Sequence, residues 1–114
     1  MKLIRRGDIF LVNFAPAREN EANYTRPAII VTNNVANAEN VVVTVVPLTS
    51  NTERVYDFQL LLPLERTELN QDSKAQVEQL RSVALSRVSR RLGHVPTDLM
   101  AELDARIRLH LALS

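Results

Sequence analysis

The run Val41-Val42-Val43-Thr44-Val45-Val46, five valines and a threonine, constrains the fold of this chain more than any other segment. β-Branched side chains lose χ1 freedom in a helix and pack well on a pleated surface, so the run reads as a strand. Its unbroken apolar character predicts a central strand buried on both faces, which Pro47 is expected to end or bend. Such a strand needs neighbours. Asp8 to Phe14 reads as one, and Pro27 to Thr32 as another, with proline at the first position, where its missing N–H costs little. Further strands are expected around Tyr56 to Leu62, at Ser73 to Val77 and at Gln79 to Leu85, with an edge segment at Arg90 to Val95 after a turn at Ser86 to Ser89. The four asparagines of Asn33 to Asn40 read as turn chemistry. Thr97 is expected to cap one helix, along which Leu99, Leu103, Ile107 and Leu111 recur every four residues.

Six or seven short strands and one helix in 114 residues predict a single domain over 1–114. The expected class is mainly β (α+β), a small antiparallel barrel with a C-terminal helix, because closure removes sheet edges that so short a chain has little left to cover. The 46% hydrophobic content excludes disorder. Cysteine is absent and only His94 and His110 are available, so neither a disulfide framework nor a zinc cage is expected. Scattered carboxylates argue against a calcium or magnesium site, and two glycines cannot build a phosphate-cradling loop, so no metal and no nucleotide cofactor is expected. The opening MKLIRRGD carries no apolar stretch of signal-peptide type and no run is long enough to span a membrane, so the expected location is the cytoplasm.

Net charge is +1, yet twelve of the fourteen basic residues are arginine, whose planar fork matches phosphate. Three polar clusters stand at predicted strand ends: Tyr24-Thr25-Arg26-Pro27 after a long polar loop, Pro47-Leu48-Thr49-Ser50-Asn51, and Glu78-Gln79-Leu80-Arg81-Ser82. In a small barrel, strand ends gather at the rims, which brings such clusters within reach of one another. Arginine with a hydroxyl and an amide suits a phosphodiester: the guanidinium balances charge on nonbridging oxygens and neutral groups orient the flanks. Taken alone, Arg26 reads as a solvated arginine and Thr49 as a turn residue. Arg87, Arg90 and Arg91 read equally as a phosphate-tracking patch and as charges that keep an edge from pairing. Phe14 reads as core, and Tyr24 as a residue able to stack on a base.

Five segments in order carry a resemblance: Arg6-Gly7-Asp8-Ile9, Arg26-Pro27-Ala28, Pro47-Leu48-Thr49-Ser50-Asn51, Glu78-Gln79-Leu80-Arg81-Ser82 and Arg91-Leu92-Gly93. Together they resemble the MazF/PemK family of toxin endoribonucleases from type II toxin–antitoxin modules, over nearly the whole chain. The resemblance implies an SH3-like barrel, a homodimer, and metal-independent cleavage of single-stranded messenger RNA at short sequences. In that chemistry the 2′-hydroxyl attacks phosphorus and leaves a cyclic phosphate and a 5′-hydroxyl. It also implies a cognate antitoxin whose acidic, partly disordered tail folds into the groove that RNA uses.

The family's active-site arginine falls on Arg26 and its threonine on Thr49. Glu21, Tyr24, Ser50, Asn51, Gln79 and Arg81 are the expected RNA contacts. The usual Gly-x-Glu-Gln-Gly-Gly loop departs here: Glu19-Asn20-Glu21-Ala22-Asn23-Tyr24 keeps the glutamate and lacks the glutamine and glycines, so a stiffer loop is expected. Neither histidine lies in the matching motifs, so charge stabilisation by Arg26 and a hydrogen bond from Thr49 are the expected main contributions. Two alternatives of other classes are a gyrase-poisoning toxin of the CcdB type and a non-catalytic nucleic-acid-binding barrel. The first relies on a C-terminal tryptophan, whereas this chain ends Leu111-Ala112-Leu113-Ser114.

Overall fold

A computed structural model describes residues 3–14, 25–39 and 41–114. Its elements are β1 (Asp8–Asn13), β2 (Thr25–Ile30), α1 (Asn34–Glu39), β3 (Val42–Thr49), β4 (Leu60–Leu62), α2 (Leu64–Thr67), β5 (Ser73–Ala75), β6 (Arg81–Ala84), β7 (Val88–His94) and α3 (Thr97–Leu111). Single turns of 3-10 helix lie at Val77–Gln79 and Leu85–Arg87. Every ladder is antiparallel, and the strand order is β4-β5-β3-β2-β1-β7, with β6 alongside β3. The expected mainly-β antiparallel fold with a C-terminal helix is therefore present, as a curled half-barrel.

β3 is the axis of this sheet. Val45 to Pro47 pair with β2 on one edge, while the other edge pairs first with β6 (Val42 to Val45) and then with β5 (Leu48 and Thr49). Pro47 sits in the gap between those two partners and does not end the strand as expected. Its carbonyl accepts from Gln76 N (2.9 Å), and its absent N–H falls where no ladder bond is due. One face of the strand is buried from Val43 and the other only from Val46, since Thr44 is half-buried; Val41 and Val42 are 76% and 43% exposed. Val43 and Val45 pack with Phe10, Val12, Ile30 and Val88 on one side. Val46 and Leu48 pack with Ile9, Ile29, Leu62 and Leu103 on the other. Each fully buried aliphatic side chain stabilises the fold by roughly 1.5–3 kcal/mol.

α3 closes the second core with Leu99, Met100 and Leu103, while Ile107 is half-buried and Leu111 is exposed, so the apolar stripe docks through its first turns. Polar ties fix the helix. Arg6 reaches Asp104 through Nη2 (2.6 Å) and donates Nε–H to the Val31 carbonyl (2.7 Å); Arg106 donates Nε–H to the Gln59 carbonyl (2.7 Å). Arg66 on α2 donates to Asp98 on α3 (2.7 Å), and this hydrogen bond holds the Asp98 carboxyl below its ordinary range. Pro96, not Thr97, occupies the cap position of α3 at φ −60°, and no side chain caps it; Thr97 is already helical.

Several expected boundaries shift. Asn33 to Asn40 holds the short helix α1 because Asn33 Oδ1 accepts from Ala36 N (2.9 Å), the same side-chain chemistry used as a cap instead of a turn. The strand expected from Tyr56 shortens to Leu60–Leu62, since Gln59 N returns to the Tyr56 carbonyl (2.8 Å) and Gln59 Oε1 accepts from Tyr56 N (3.2 Å). The strands expected at Ser73 to Val77 and Gln79 to Leu85 are Ser73–Ala75 and Arg81–Ala84, separated by the 3-10 turn. β7 begins at Val88, inside the expected turn, and α2 follows Pro63 where no element was expected.

Candidate active site

A cleft of about 600 Å³ opens over a row of apolar side chains that crosses four strands: Leu92 on β7, Leu11 on β1, Pro27 on β2 and Leu48 on β3. Leu11 lies opposite Pro27 in the ladder, and the Ala28–Pro47 pairing sets Leu48 beside Pro27. Polar groups surround this floor: Arg26, Thr49, Ser50 and Arg90 from strands or strand ends, and the segment from Glu68 to Gln71 after α2. Arg26 and Thr49, distant in sequence, thus line one cleft because β2 and β3 are paired neighbours.

Arg26 is half-buried at the start of β2, and its Nη1–H donates to Gln76 Oε1 at 3.2 Å. Gln76 is itself held by its N–H on the Pro47 carbonyl, so the guanidinium is braced through the same residue that interrupts the outer edge of β3. Among the described residues this amide is the one hydrogen-bond partner of the Arg26 side chain. A guanidinium carries five donors, so most of the fork is left for an anion. Thr49 Oγ1 accepts from Asn51 N at 3.3 Å, which orients the hydroxyl and leaves its own proton to donate. Gln76 was not singled out from the sequence; no spacing rule marks it, and only the fold brings it to Arg26.

Ser50 lines the cleft beside Thr49, but Asn51, Gln79 and Arg81 are not among its lining residues. Asn51 Oδ1 accepts from Glu53 N (3.2 Å), Gln79 sits exposed in the 3-10 turn, and the Arg81 guanidinium lies 5.3 Å from the centre of the buried Phe14 ring. Glu21 and Tyr24 lie outside the described residues. Glu78 Oε2 accepts from Gln59 Nε2 (2.9 Å), which ties the 3-10 turn to the loop before β4. His94 Nδ1 is 2.9 Å from Asp8 Oδ1, and neither histidine lines the cleft. Among the described residues no group of three or more histidine, cysteine or acidic side chains is gathered as a metal site.

The flanking motifs are structural. Asp8, nearly buried at the start of β1, takes His94 and Arg91 Nε (3.3 Å), while Arg6 holds α3 as described. Gly93 faces the carbonyl of Thr67 so closely that a Cβ there would stand 2.1 Å from the oxygen.

Residues 5–111 match the family of PemK-like, MazF-like toxins of type II toxin–antitoxin systems. The chain belongs to this family. It is 47% identical to endoribonuclease MazF9 of Mycobacterium tuberculosis, over 97% of this chain and 98% of that protein. The fold agrees with that of solved PemK/MazF proteins. MazF from Deinococcus radiodurans superposes with a TM-score of 0.81 at 23% identity, covering 99% of this chain and 100% of that one. A mycobacterial endoribonuclease in complex with its cognate antitoxin superposes with a TM-score of 0.78 at 18% identity, covering 100% and 98%. No helix among the described residues is long and apolar enough to cross a membrane.

Proposed function

We propose that this chain is a metal-independent endoribonuclease toxin that cuts single-stranded RNA at short sequences, with Arg26 and Thr49 at the reacting phosphate. The observation that carries the reading is the meeting of those two residues in one cleft of a PemK/MazF-family chain. The name of the 47% identical relative supports the activity.

In the reaction the substrate's 2′-oxygen forms a bond to phosphorus and gives up its proton. The bond from phosphorus to the 5′-oxygen breaks, and that oxygen takes a proton, leaving a cyclic phosphate and a 5′-hydroxyl. Negative charge builds on the nonbridging oxygens as five bonds form at phosphorus. Arg26, braced by Gln76, meets that charge with donors already in place, and the Thr49 hydroxyl donates to a phosphate oxygen. A preorganised donor of this kind contributes roughly 10²- to 10³-fold in rate. Ser50 contacts the strand inside the cleft; Asn51, Gln79 and Arg81 meet it beyond the cleft, and Glu21 and Tyr24 act from the β1–β2 connection.

The same reading covers the partners and setting. The 114 residues act as one domain, as a homodimer in the cytoplasm, and a cognate antitoxin with an acidic tail silences the toxin by competing for the arginine-bearing cleft. The solved mycobacterial endoribonuclease in complex with its cognate antitoxin supports that partner. The test is incubation of the purified protein with mixed-sequence single-stranded RNA in chelator, followed by mapping of fragment ends. Cutting at one short motif with 5′-hydroxyl products is the expected result. RNA that stays intact overturns the activity, and cutting that requires a divalent metal overturns the mechanism.

A further inference from the structure

Three arginines close in sequence, Arg87, Arg90 and Arg91, read alike as a patch, and the structure separates them. Arg91 is engaged, through Nε to Asp8 (3.3 Å) and Nη1 to Glu68 (3.5 Å). Arg87 donates to the Asn13 carbonyl (3.3 Å). Arg90 is exposed, lines the cleft, and has no hydrogen bond or ion pair among the described residues. We propose that Arg90 is a second phosphate-binding group of the cleft, holding a backbone phosphate of the RNA other than the one at Arg26. The proposal rests on the reading of this cleft as an RNA site.

The backbone is shaped to present this side chain. In the β1–β7 ladder Phe10 pairs with Arg91 and Val12 with Val88, so Leu11 alone faces both Ser89 and Arg90. That is a β-bulge, a device that re-aims a side chain at the edge of a sheet, and Ser89 Oγ fastens it by donating to the Leu11 carbonyl (3.0 Å). Glu68 is the one carboxylate among the cleft-lining residues, and its pairing with Arg91 keeps it from neutralising Arg90. The strands of Arg90 and Arg26 are two steps apart in the sheet, about 10 Å at the usual spacing. Two guanidiniums on backbones so separated serve two phosphates better than one, with the apolar floor of Leu11 and Pro27 between them for sugar and base.

A cation held only for this purpose has a measurable signature. Each neutralised phosphate of a single strand adds about −0.7 to the slope of log affinity against log salt. The probe is a labelled, mixed-sequence 2′-O-methyl RNA, which has no attacking hydroxyl and cannot be cut, titrated by anisotropy from about 50 to about 300 mM salt. Arg90→Ala is expected to flatten the slope by about 0.7, so that the wild-type chain loses about 3.5-fold more affinity over that range than the variant. Arg90→Lys keeps the slope near the wild-type value. Arg108→Ala, a substitution of an exposed arginine on α3 outside the cleft, leaves it unchanged. Circular dichroism on each variant reports that the fold is retained. Binding with an unaltered slope in Arg90→Ala overturns this inference and leaves the RNA reading standing. Failure of the wild-type chain to bind the probe at all overturns the RNA reading, and this inference with it.

Discussion

Replacement of Gly93 by alanine tests how tightly β7 is packed against α2. A Cβ built at Gly93 lies 2.1 Å from the Thr67 carbonyl oxygen and 3.3 Å from its carbon, where ordinary contacts stay above 3.0 Å. About 0.9 Å must therefore be found, and the obstructing atom is backbone, at the end of a helix whose last residue is fully buried. Overpacking of a tight site costs about 1–3 kcal/mol, and a backbone obstacle puts this change at the upper end. At roughly 4 °C per kcal/mol for a chain of this length, the thermal midpoint is expected to fall by about 8–12 °C. Because Thr67 leads directly into Glu68, which holds φ 70° and begins the cleft wall, relaxation is also expected to weaken RNA binding. Thermal unfolding followed by circular dichroism reads the first effect, and the 2′-O-methyl probe the second. A Gly93→Ala chain that melts with the wild type would show that α2 is not seated against β7 as described.

Pro47→Ala is expected to change stability by less than about 1 kcal/mol in urea titration, since the strand already places that missing N–H between two partners. A larger loss would mean that the proline ring itself is a packing element. Leu103→Ala, at a fully buried site shared by α3 and the sheet, is expected to cost about 2–5 kcal/mol; a loss below about 1 kcal/mol would place α3 outside the core. Asp98, held down by the Arg66 hydrogen bond, contributes stability that is present above the ordinary carboxylate range and lost as pH falls through its lowered pKa. Both groups are exposed, so the contribution is small, and the comparison is acid unfolding of Asp98→Asn against wild type below about pH 4. A variant more sensitive to acid than the wild type has the wrong sign.

What was legible in the sequence follows from the range of the interactions involved. Val43 to Val46 announced a buried strand because β-branched side chains carry that preference locally, and Ile9 to Val12 and Ile29 to Ile30 fell into strands for the same reason. Asn33 misled because one side-chain oxygen serves turns and helix caps alike, and only the register of Ala36 decides between them. Tyr56 and Phe58 look like strand residues, yet their rings stack 5.3 Å apart within a loop beside Arg54, an arrangement set by neighbours that no pattern specifies. At the site, Arg26 and Thr49 stood in polar clusters whose chemistry suits a phosphodiester, and it was the resemblance that gave them roles; each taken alone was a surface or turn residue. Gln76 was beyond reach as a site residue because a 50-residue separation hides its bond to Arg26, and Arg90 was not separable from Arg87 and Arg91 in a candidate phosphate-tracking patch because a bulge decides its aim.

The central claim is that Arg26 and Thr49 act on one phosphate, and a double-mutant cycle on single-turnover RNA cleavage addresses it most directly. With all variants shown to be folded, Arg26→Ala is expected to slow cleavage at least tenfold and nearer 10²-fold. Groups that work as a unit are non-additive, so adding Thr49→Ala to Arg26→Ala is expected to cost only a few-fold more. Losses that simply multiply, or an Arg26→Ala chain that cuts at the wild-type rate, would contradict it.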